Sequence, residues 1–482
     1  MTCPVYPNAI SLANIQAEFG GPSSNIALEN YYAGGSYVPS GTTSPTSGAV
    51  PSSGAISLEN FWGTSKGYNN WYYTYQGFSV YGNYFNYFSG TGSDSSGNIY
   101  GAGSFAGETF GSPWRAGFVA QFAAKGALNW MRTIGPSGAP AFIEGSATSS
   151  AGNTYAVVVY STTVYLVKYN SSGTLQWQVQ ISSAAANATN TIAVSAAENV
   201  YLTLCSGSGY SVVNTLKFNS SGTLQWQRQI GGDSNVVGTR TCMGIDSSEN
   251  VYLLWQASAS GTGGAYYQAS YNSSGTIQAI NYYYFGSGTL LQSGDPLPMM
   301  YIGSSGSQYY FCLPFYLTGS FNVSYVVGGP GFTSYCITNN SYPTLSQLNG
   351  MTVDASGNMY IVANSELYGT SYLKITSSGS LTQYAANFAG AAGADLYTGG
   401  PSIVGSNLLL QTQTTATGTL ILTETNGTNY STATEWGSTT NYPFSTGTPI
   451  ATDSAGSLSV SSTSALTSTS VTPYSSSLNG LT

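Results

Sequence analysis

Histidine is absent from the sequence and charge nearly so: nine Lys and Arg and seventeen Asp and Glu leave 5% of the 482 residues charged, against roughly 25% in ordinary soluble domains. Without histidine no Ser-His-Asp triad, no Cys-His pair and no His-ligated zinc or haem can be built. The net charge of −8 and the lack of Lys/Arg clusters exclude nucleic acid as a partner, because phosphate binding needs grouped cations. No apolar run approaches the roughly eighteen residues of a spanning helix, so no membrane insertion is expected. The opening Met-Thr-Cys-Pro-Val-Tyr-Pro lacks the basic and apolar regions of a secretory signal. No window gathers the several acids of a calcium loop, and no metal or cofactor is expected. Five cysteines (Cys3, Cys205, Cys242, Cys312 and Cys336) are too few and too irregular for a disulfide framework and read as buried thiols.

What is present argues against disorder. Forty Tyr, eighteen Phe and eight Trp accompany 41% hydrophobic residues and sixty Gly. Disordered chains are poor in aromatics and rich in charge. Abundant Gly, Ser, Thr and Asn point to short strands joined by tight turns. The surface must then be hydroxyl and amide rather than ionic.

Internal repeats set the architecture. The motif Asp-x-x-Gly-Asn-x-Tyr occurs at Asp94…Tyr100 and Asp354…Tyr360, with variants at Ser149…Tyr155, Ser195…Tyr201 and Asp246…Tyr252. Weaker copies lie at Gly303…Tyr309, Gly405…Leu408 and Asp453…Leu458, and the mean spacing is about 51 residues. A second motif sits inside the unit: Tyr165…Lys168-Tyr-Asn-Ser-Ser-Gly173-Thr-Leu-Gln-Trp177 returns as Asn214…Lys217-Phe-Asn-Ser-Ser-Gly222-Thr-Leu-Gln-Trp226. Each motif is a hairpin turn between period-two apolar runs. Two hairpins per unit give four antiparallel strands, and radial repetition of such units gives a β-propeller. The expectation is therefore an all-β propeller over 67–482 with a small, partly helical arm over 1–66. Eight motif copies predict eight blades, with seven as the alternative if the copy near Asn407 is not a full blade. The last unit is short, so a strand near 71–78 is expected to supply its missing strand and close the ring.

The repeat also absorbs much of the charge. Lys125, Lys168, Lys217 and Lys374 fall near one place in the unit, Arg132 and Arg228 each follow a Trp by two, and Asp94, Asp246, Asp354 and Asp453 open the first turn. Repetition across blades is the mark of a structural role, whereas a catalytic residue usually occurs once. No catalytic residue is assigned and no enzymatic activity is expected. A carboxylate pair across the ring, as in a propeller depolymerase of polysaccharide, is the rival reading. Aromatic rings can instead hold sugars by stacking without charge. Phe110, Trp114, Tyr266, Tyr267, Tyr282 and Tyr283, in the two longest units, are the candidate glycan-facing side chains.

The first 66 residues repeat a different string: Ile10-Ser-Leu-Ala-Asn-Ile15…Phe19-Gly-Gly, Ile26-Ala-Leu-Glu-Asn-Tyr31-Tyr and Ile56-Ser-Leu-Glu-Asn-Phe61-Trp. These read as one- or two-turn helices, too short to stand alone. Their apolar side chains (Ile10, Leu12, Ile15, Phe19; Ile26, Leu28, Tyr31; Ile56, Leu58, Phe61, Trp62) are expected to dock on a surface. The stretch Tyr37-Val-Pro-Ser-Gly-Thr-Thr-Ser-Pro, running on toward Pro51, reads as a linker. The run Ile-Ser-Leu-x-x-Ile-Gln-x-Glu-Phe-Gly-Gly, the Tyr-Tyr-x-Gly-Gly and Val50-Pro-Ser-Ser-Gly-Ala-Ile-Ser-Leu-Glu-Asn-Phe61 resemble the N-terminal module of tail-fibre and other virion structural proteins of tailed bacteriophages. The later units resemble bacterial β-propeller repeats. The resemblance implies a tail-associated structural protein, present in multiple copies, assembled in the host cytoplasm and exposed on the particle exterior. The arm would tether it to other virion proteins, and the propeller head would bind a host surface polysaccharide or receptor. A purely structural decoration protein is the further alternative.

Overall fold

The computed structural model describes residues 9–19, 27–33, 38, 43–44, 48–61, 71–76, 87–107, 114–124, 126–135, 141–161, 163–182, 191–206, 212–231, 236–257, 265–284, 288–289, 299–303, 309–317, 323–329, 332–339, 347–365, 369–378, 380–386, 401–404, 407–413, 417–424, 430–433, 436–440, 445–447, 452–455, 458–463, 465–470 and 475–480. Apart from one two-stranded pair, the described strands form seven antiparallel sheets of five or six strands. Each is a blade, and its innermost strand packs on the innermost strands of the blades before and after it. The last blade packs on the first, so the ring closes; there Thr91 Oγ1 and Ser402 Oγ lie 2.9 Å apart.

Blade 1 comprises Tyr87–Ser93, Ile99–Gly107, Trp114–Phe122 and Leu128–Gly135, from the axis outward. Blade 2 is Phe142–Thr148, Thr154–Tyr160, Thr163–Tyr169 and Leu175–Ser182; blade 3 is Thr191–Val194, Val200–Ser206, Val212–Phe218 and Leu224–Gly231. Blade 4 is Val236–Ile245, Val251–Ala257, Ala265–Tyr271 and Ile277–Tyr284. Blade 5 begins at Met299–Ile302 and continues through Tyr309–Leu317, Val323–Gly329 and Phe332–Asn339, with the short Gly288–Thr289 also pairing its second strand. Blade 6 is Gln347–Val353, Met359–Ser365, Gly369–Ile375 and Leu381–Ala386. Blade 7 has three strands in sequence, Ser402–Val404, Asn407–Gln413 and Thr417–Glu424, and its fourth is Trp71–Gln76, paired to Thr417–Glu424 in antiparallel register.

The eight blades expected from eight motif copies are thus corrected. The copy at Asp453…Leu458 opens no blade. It lies in a segment that retraces the ring from outside. Tyr430–Ala433 pairs with the fourth strand of blade 6, Trp436–Thr440 with blade 5, Ser445–Gly447 with blade 4, Thr452–Ala455 with blade 3, Ser459–Ser462 with blade 2, Thr467–Ser470 with blade 1 and Ser475–Gly480 with Trp71–Gln76 of blade 7. This strap gives every blade a fifth, outermost strand. Its Asp453 lies within the strap strand Thr452–Ala455, paired with Ile230 of blade 3.

The core lies between blades rather than within one sheet. In blade 3, Val200, Leu202, Leu204, Leu216 and Phe218 face blade 2, while Tyr201, Cys205 and Val213 face blade 4. Both sheet faces are buried, so the middle strands read as continuous apolar runs such as Thr154–Tyr160, Thr-Tyr-Ala-Val-Val-Val-Tyr. Leu458 and Leu466 of the strap enter the crevices between blades 2 and 3 and between blades 1 and 2. Gln178 holds Leu466 at both ends, its Nε2 donating to the Leu466 carbonyl at 3.0 Å and its Oε1 accepting the Leu466 N–H at 2.9 Å. Cys205, Cys242 and Cys312 form no disulfide.

Ahead of the ring, a helix at Leu12–Phe19 and 3-10 turns at Leu28–Tyr31 and Leu58–Phe61 occupy the three string repeats. Each starts the same way: Asn14, Asn30 and Asn60 turn their Oδ1 back onto the N–H of Ser11, Ala27 and Ser57 at 2.8, 2.9 and 2.7 Å, which satisfies an otherwise orphan helix donor. The equivalent residues Ile15, Tyr31 and Phe61 are fully buried and meet in one cluster with Ala33, Val38 and Val50. Three pieces too short to fold singly form one small module by covering one another.

Candidate functional site

The turns joining strands one to two and three to four of a blade lie at the same end of the sheet, since strands one and three run parallel. They form one face of the ring. The segments joining strands two to three, and one blade to the next, form the opposite face.

On the short-turn face the first turn is built around a carboxylate. Asp94 Oδ1 accepts the backbone N–H of Ser96 and Asn98, and its Oδ2 accepts Asn98 Nδ2 and Tyr100 O–H, at 2.9–3.0 Å. Asp246 and Asp354 repeat this pattern. In blades 2 and 3 a serine, Ser149 or Ser195, stands where the aspartate should be, and the carboxylate arrives from the next blade. Glu198 of blade 3 accepts Ser149 Oγ at 2.8 Å, Asn153 Nδ2, Tyr155 O–H at 3.2 Å and Lys168 Nζ at 2.9 Å. Glu249 of blade 4 likewise accepts Asn199 Nδ2, Tyr201 O–H and Lys217 Nζ at 2.7–2.8 Å. Glu198 and Glu249 occupy left-handed backbone (φ 60° and 61°) where Gly97, Gly152 and Gly357 stand in other blades. A non-glycine residue there costs roughly 1 kcal/mol, which the inter-blade bonds offset.

Burial resists ionisation of these two glutamates, but the lysine, amide and hydroxyl donors outweigh it and hold each at about 2, below the ordinary 4.5. Burial, with Asp94 beside it, raises the Tyr100 phenol to about 12. Glu198 and Glu249 are thus ionised and enclosed by donors, so neither can deliver a proton near neutral pH. Among the described residues no group of three or more Cys, Asp or Glu is placed to hold a metal.

The second turn locks neighbours together. Trp130, Trp177 and Trp226 each donate Nε1–H to the carbonyl of Ser171, Ser220 and Ser273 of the following blade at 3.0 Å. Their rings lie on Gly173, Gly222 and Gly275, where a Cβ would come within 2.7–3.0 Å of the indole. Glycine is required there twice over, by the positive φ of 75–81° and by the close approach.

The sequence-predicted glycan contacts fare differently. Tyr266 and Tyr267 are 1% exposed, a correction to their reading as sugar platforms. Tyr267 stacks on Trp255 at 5.3 Å and packs on Tyr282 at 4.9 Å, and Tyr283 donates to Gln268 Oε1 at 3.1 Å. Tyr266, Tyr267 and Tyr282 fill blade interfaces, because both faces of a propeller sheet are internal. Trp114 begins a strand at the long-loop face; its side chain, and Phe110 altogether, lie outside the described residues, as does Lys125. Of the predicted docking side chains, Ile15, Tyr31 and Phe61 form the centre of the first module, and Ile10, Leu12, Leu28, Ile56 and Leu58 pack around them. The Phe19 side chain, Ile26 and Trp62 lie outside the described residues. Val38 and Val50, in the stretch expected to be a linker, belong to that same core. Glu198 and Glu249 were not singled out by the sequence reading, although the signal was there: serine replaces aspartate in one blade where glutamate replaces glycine in the next.

No family model and no curated protein matches the chain. Solved structures with a similar course of the backbone include the polysaccharide lyase Uly1 (10% identity, 72% of this chain and 90% of that one, TM-score 0.39) and prolyl oligopeptidase B from Galerina marginata (11% identity, 74% of this chain and 51% of that one, TM-score 0.43). Drosophila Plexin A in complex with Semaphorin 1b is a third (8% identity, 70% and 87%, TM-score 0.38). At these identities and scores none of their activities transfers to this chain.

Proposed function

We propose that the chain is a non-enzymatic attachment protein of a tailed-phage particle, whose first module joins it to other virion proteins and whose propeller holds a host surface glycan. The observation that carries this reading is the engagement of the described turn carboxylates. Asp94, Glu198, Asp246, Glu249 and Asp354 all bond turn or neighbouring-blade donors. The exposed side chains of the described second turns, such as Ser171, Ser172, Thr174 and Gln176, are hydroxyls and amides, groups suited to holding sugars. The string resemblance of residues 10–61 supports the tethering half, although Ile15, Tyr31 and Phe61 are spent on the module's own core and are not the docking contacts expected of them.

The test is adsorption of the purified full chain to host cells and to their envelope polysaccharide, with reducing-sugar release measured alongside. Saturable binding that blocks infection, with no sugar released, supports the proposal. Released sugar favours the depolymerase reading, and absence of both binding and blocking favours a decoration protein.

A further inference from the structure

Blades 2 and 3 have diverged in their second and third strands but not in their second turn and fourth strand. Thr154–Tyr160 and Val200–Ser206 share only the tyrosine of the motif, and Thr163–Tyr169 and Val212–Phe218 share two residues of seven. Yet 170–181 and 219–230 are identical at eleven of twelve positions, and 272–278 of blade 4 repeats the same Asn-Ser-Ser-Gly-Thr-(Leu/Ile)-Gln. Four side chains in each copy are exposed: Ser171, Ser172, Thr174 and Gln176, then Ser220, Ser221, Thr223 and Gln225, then Ser273, Ser274, Thr276 and Gln278. Exposed positions usually tolerate exchange within about 0.5 kcal/mol, so identity at these four exposed positions is not what drift alone would leave. Recent duplication of the whole blade would have preserved the second and third strands as well.

Nor does the turn need these side chains. Blade 1 makes it with Ala123-Ala-Lys-Gly126-Ala-Leu-Asn129, closing the same two backbone bonds at 2.8 Å that blade 2 closes at 2.9 and 3.0 Å. The Asn and Gly of the motif have backbone tasks; the outward Ser, Ser, Thr and Gln do not set the fold. The glutamines are nonetheless held in one pose. Gln176, Gln225 and Gln278 each donate Nε2–H to the carbonyl of Thr174, Thr223 and Thr276 at 3.1–3.2 Å. The Trp177–Ser220 and Trp226–Ser273 bonds then fix the spacing from one copy to the next.

We infer that these three segments, on the short-turn face of blades 2, 3 and 4, are three equivalent stations for one linear, uncharged polysaccharide. The inference rests on the glycan-binding reading and gives that reading its surface. The chemistry fits the ligand class: the exposed side chains of each station are hydroxyls and a primary amide, beside the half-buried indoles of Trp177 and Trp226. The neighbouring cations are engaged internally, Lys168 by Glu198 and the Ser220 carbonyl, Lys217 by Glu249 and the Ser273 carbonyl, and Arg132 by the Gly173 carbonyl. Orientation fixed before binding lowers the ordering cost of such weak polar contacts. Repeated stations suit a chain of repeated sugars, with later contacts made at high effective concentration.

The experiment uses the full chain and two probes: size-graded neutral glucans and mannans, and envelope polysaccharide from the host. The variants keep the turn and take blade 1 residues at three positions, Ser171→Ala, Thr174→Ala and Gln176→Asn, with Ser172→Ala in place of the blade 1 lysine to add no charge, in blade 2 and with the matching changes in blades 3 and 4. Unfolding temperature is checked for each. Affinity should rise with oligosaccharide length until three stations are spanned, about 10²-fold above the single-station oligomer, and fall stepwise as stations are replaced. A wild-type chain that binds neutral glycan no better than the three-station variant overturns the surface and leaves glycan binding standing. Preference for charged polysaccharide overturns the ligand class. A wild-type chain that binds no polysaccharide overturns both.

Discussion

Glu198 shows how a chain with so few charges uses one. In blade 1 the turn carboxylate is local, Asp94; in blade 2 it is imported from blade 3, so a turn contact becomes a blade-to-blade contact that also holds Lys168. Glu198→Gly would relieve the left-handed backbone but leave Ser149, Asn153 and Lys168 without their acceptor. Because bonds to charged groups contribute about 1.5–3 kcal/mol when not fully exposed, a net loss of about 2 kcal/mol is expected in denaturant or thermal unfolding. Adding Ser149→Asp should recover most of it, since with Gly152 and Lys168 it gives blade 2 the set that blade 6 has in Asp354, Gly357 and Lys374. A double variant no more stable than Glu198→Gly would show that the carboxylate's origin matters beyond its charge. The same bonds set the acid response. Glu198 and Glu249 are held at about 2 in the folded chain against an ordinary 4.5, so the stability they contribute is full above pH 4.5 and is lost as pH falls toward 2. Unfolding measured from pH 7 to 2 should therefore be flat at first and decline below 4.5, and the doubly substituted Glu198→Gln, Glu249→Gln chain should lack much of that slope. The motif residues were legible in the sequence, being repeated with their turn chemistry. The partner of Glu198 was not, because the pairing crosses about fifty residues and only the packing of blade 3 on blade 2 brings the two turns together.

At the scale of the element, the strap is the feature the sequence concealed. Its strands are three to six residues long and rich in Ser and Thr, so period-two hydrophobicity is nearly absent, and its Asp453…Leu458 string imitates a blade motif. Its apolar signal is sparse: Leu458 and Leu466 stand eight residues apart, one for each crevice crossed. The four-stranded unit, by contrast, was readable from two hairpin turns flanked by apolar runs. Leu466 is 3% exposed among Val119, Ile134, Ile143 and Val167, and Gln178 grips its backbone. Leu466→Ala should cost about 2–4 kcal/mol locally. Hydrogen exchange should show this as faster exchange across Ser459–Ser462 and Thr467–Ser470 with blade 5 unchanged. Uniform acceleration over all blades would mean that the strap has no independent stability.

For the whole molecule, the strap changes what the ring's perimeter is. Without it, each blade would present a fourth strand of six to eight residues, such as the Leu-Gln-Trp-Gln-Arg-Gln-Ile-Gly of Leu224–Gly231, as an unpaired edge, and long edges pair with other chains. With it, the perimeter consists of short Ser/Thr strands that offer little to pair with. The strap also closes the ring a second time. Trp71–Gln76 is held between Thr417–Glu424 on one side and Ser475–Gly480 on the other, so the strand that completes blade 7 cannot leave until the last strap strand has left. Ordering follows: the blades must be in place before the strap has edges to pair with, and the strap must peel before blade 7 opens. A chain lacking residues 430–480 should therefore still form blades, seen as retained β-sheet circular dichroism, but should associate through its uncovered edges and unfold at lower temperature. Size-exclusion chromatography with light scattering, followed by calorimetry, checks both. A truncated chain that stays monomeric and unfolds at the parent temperature would show that the strap neither guards the perimeter nor secures the ring.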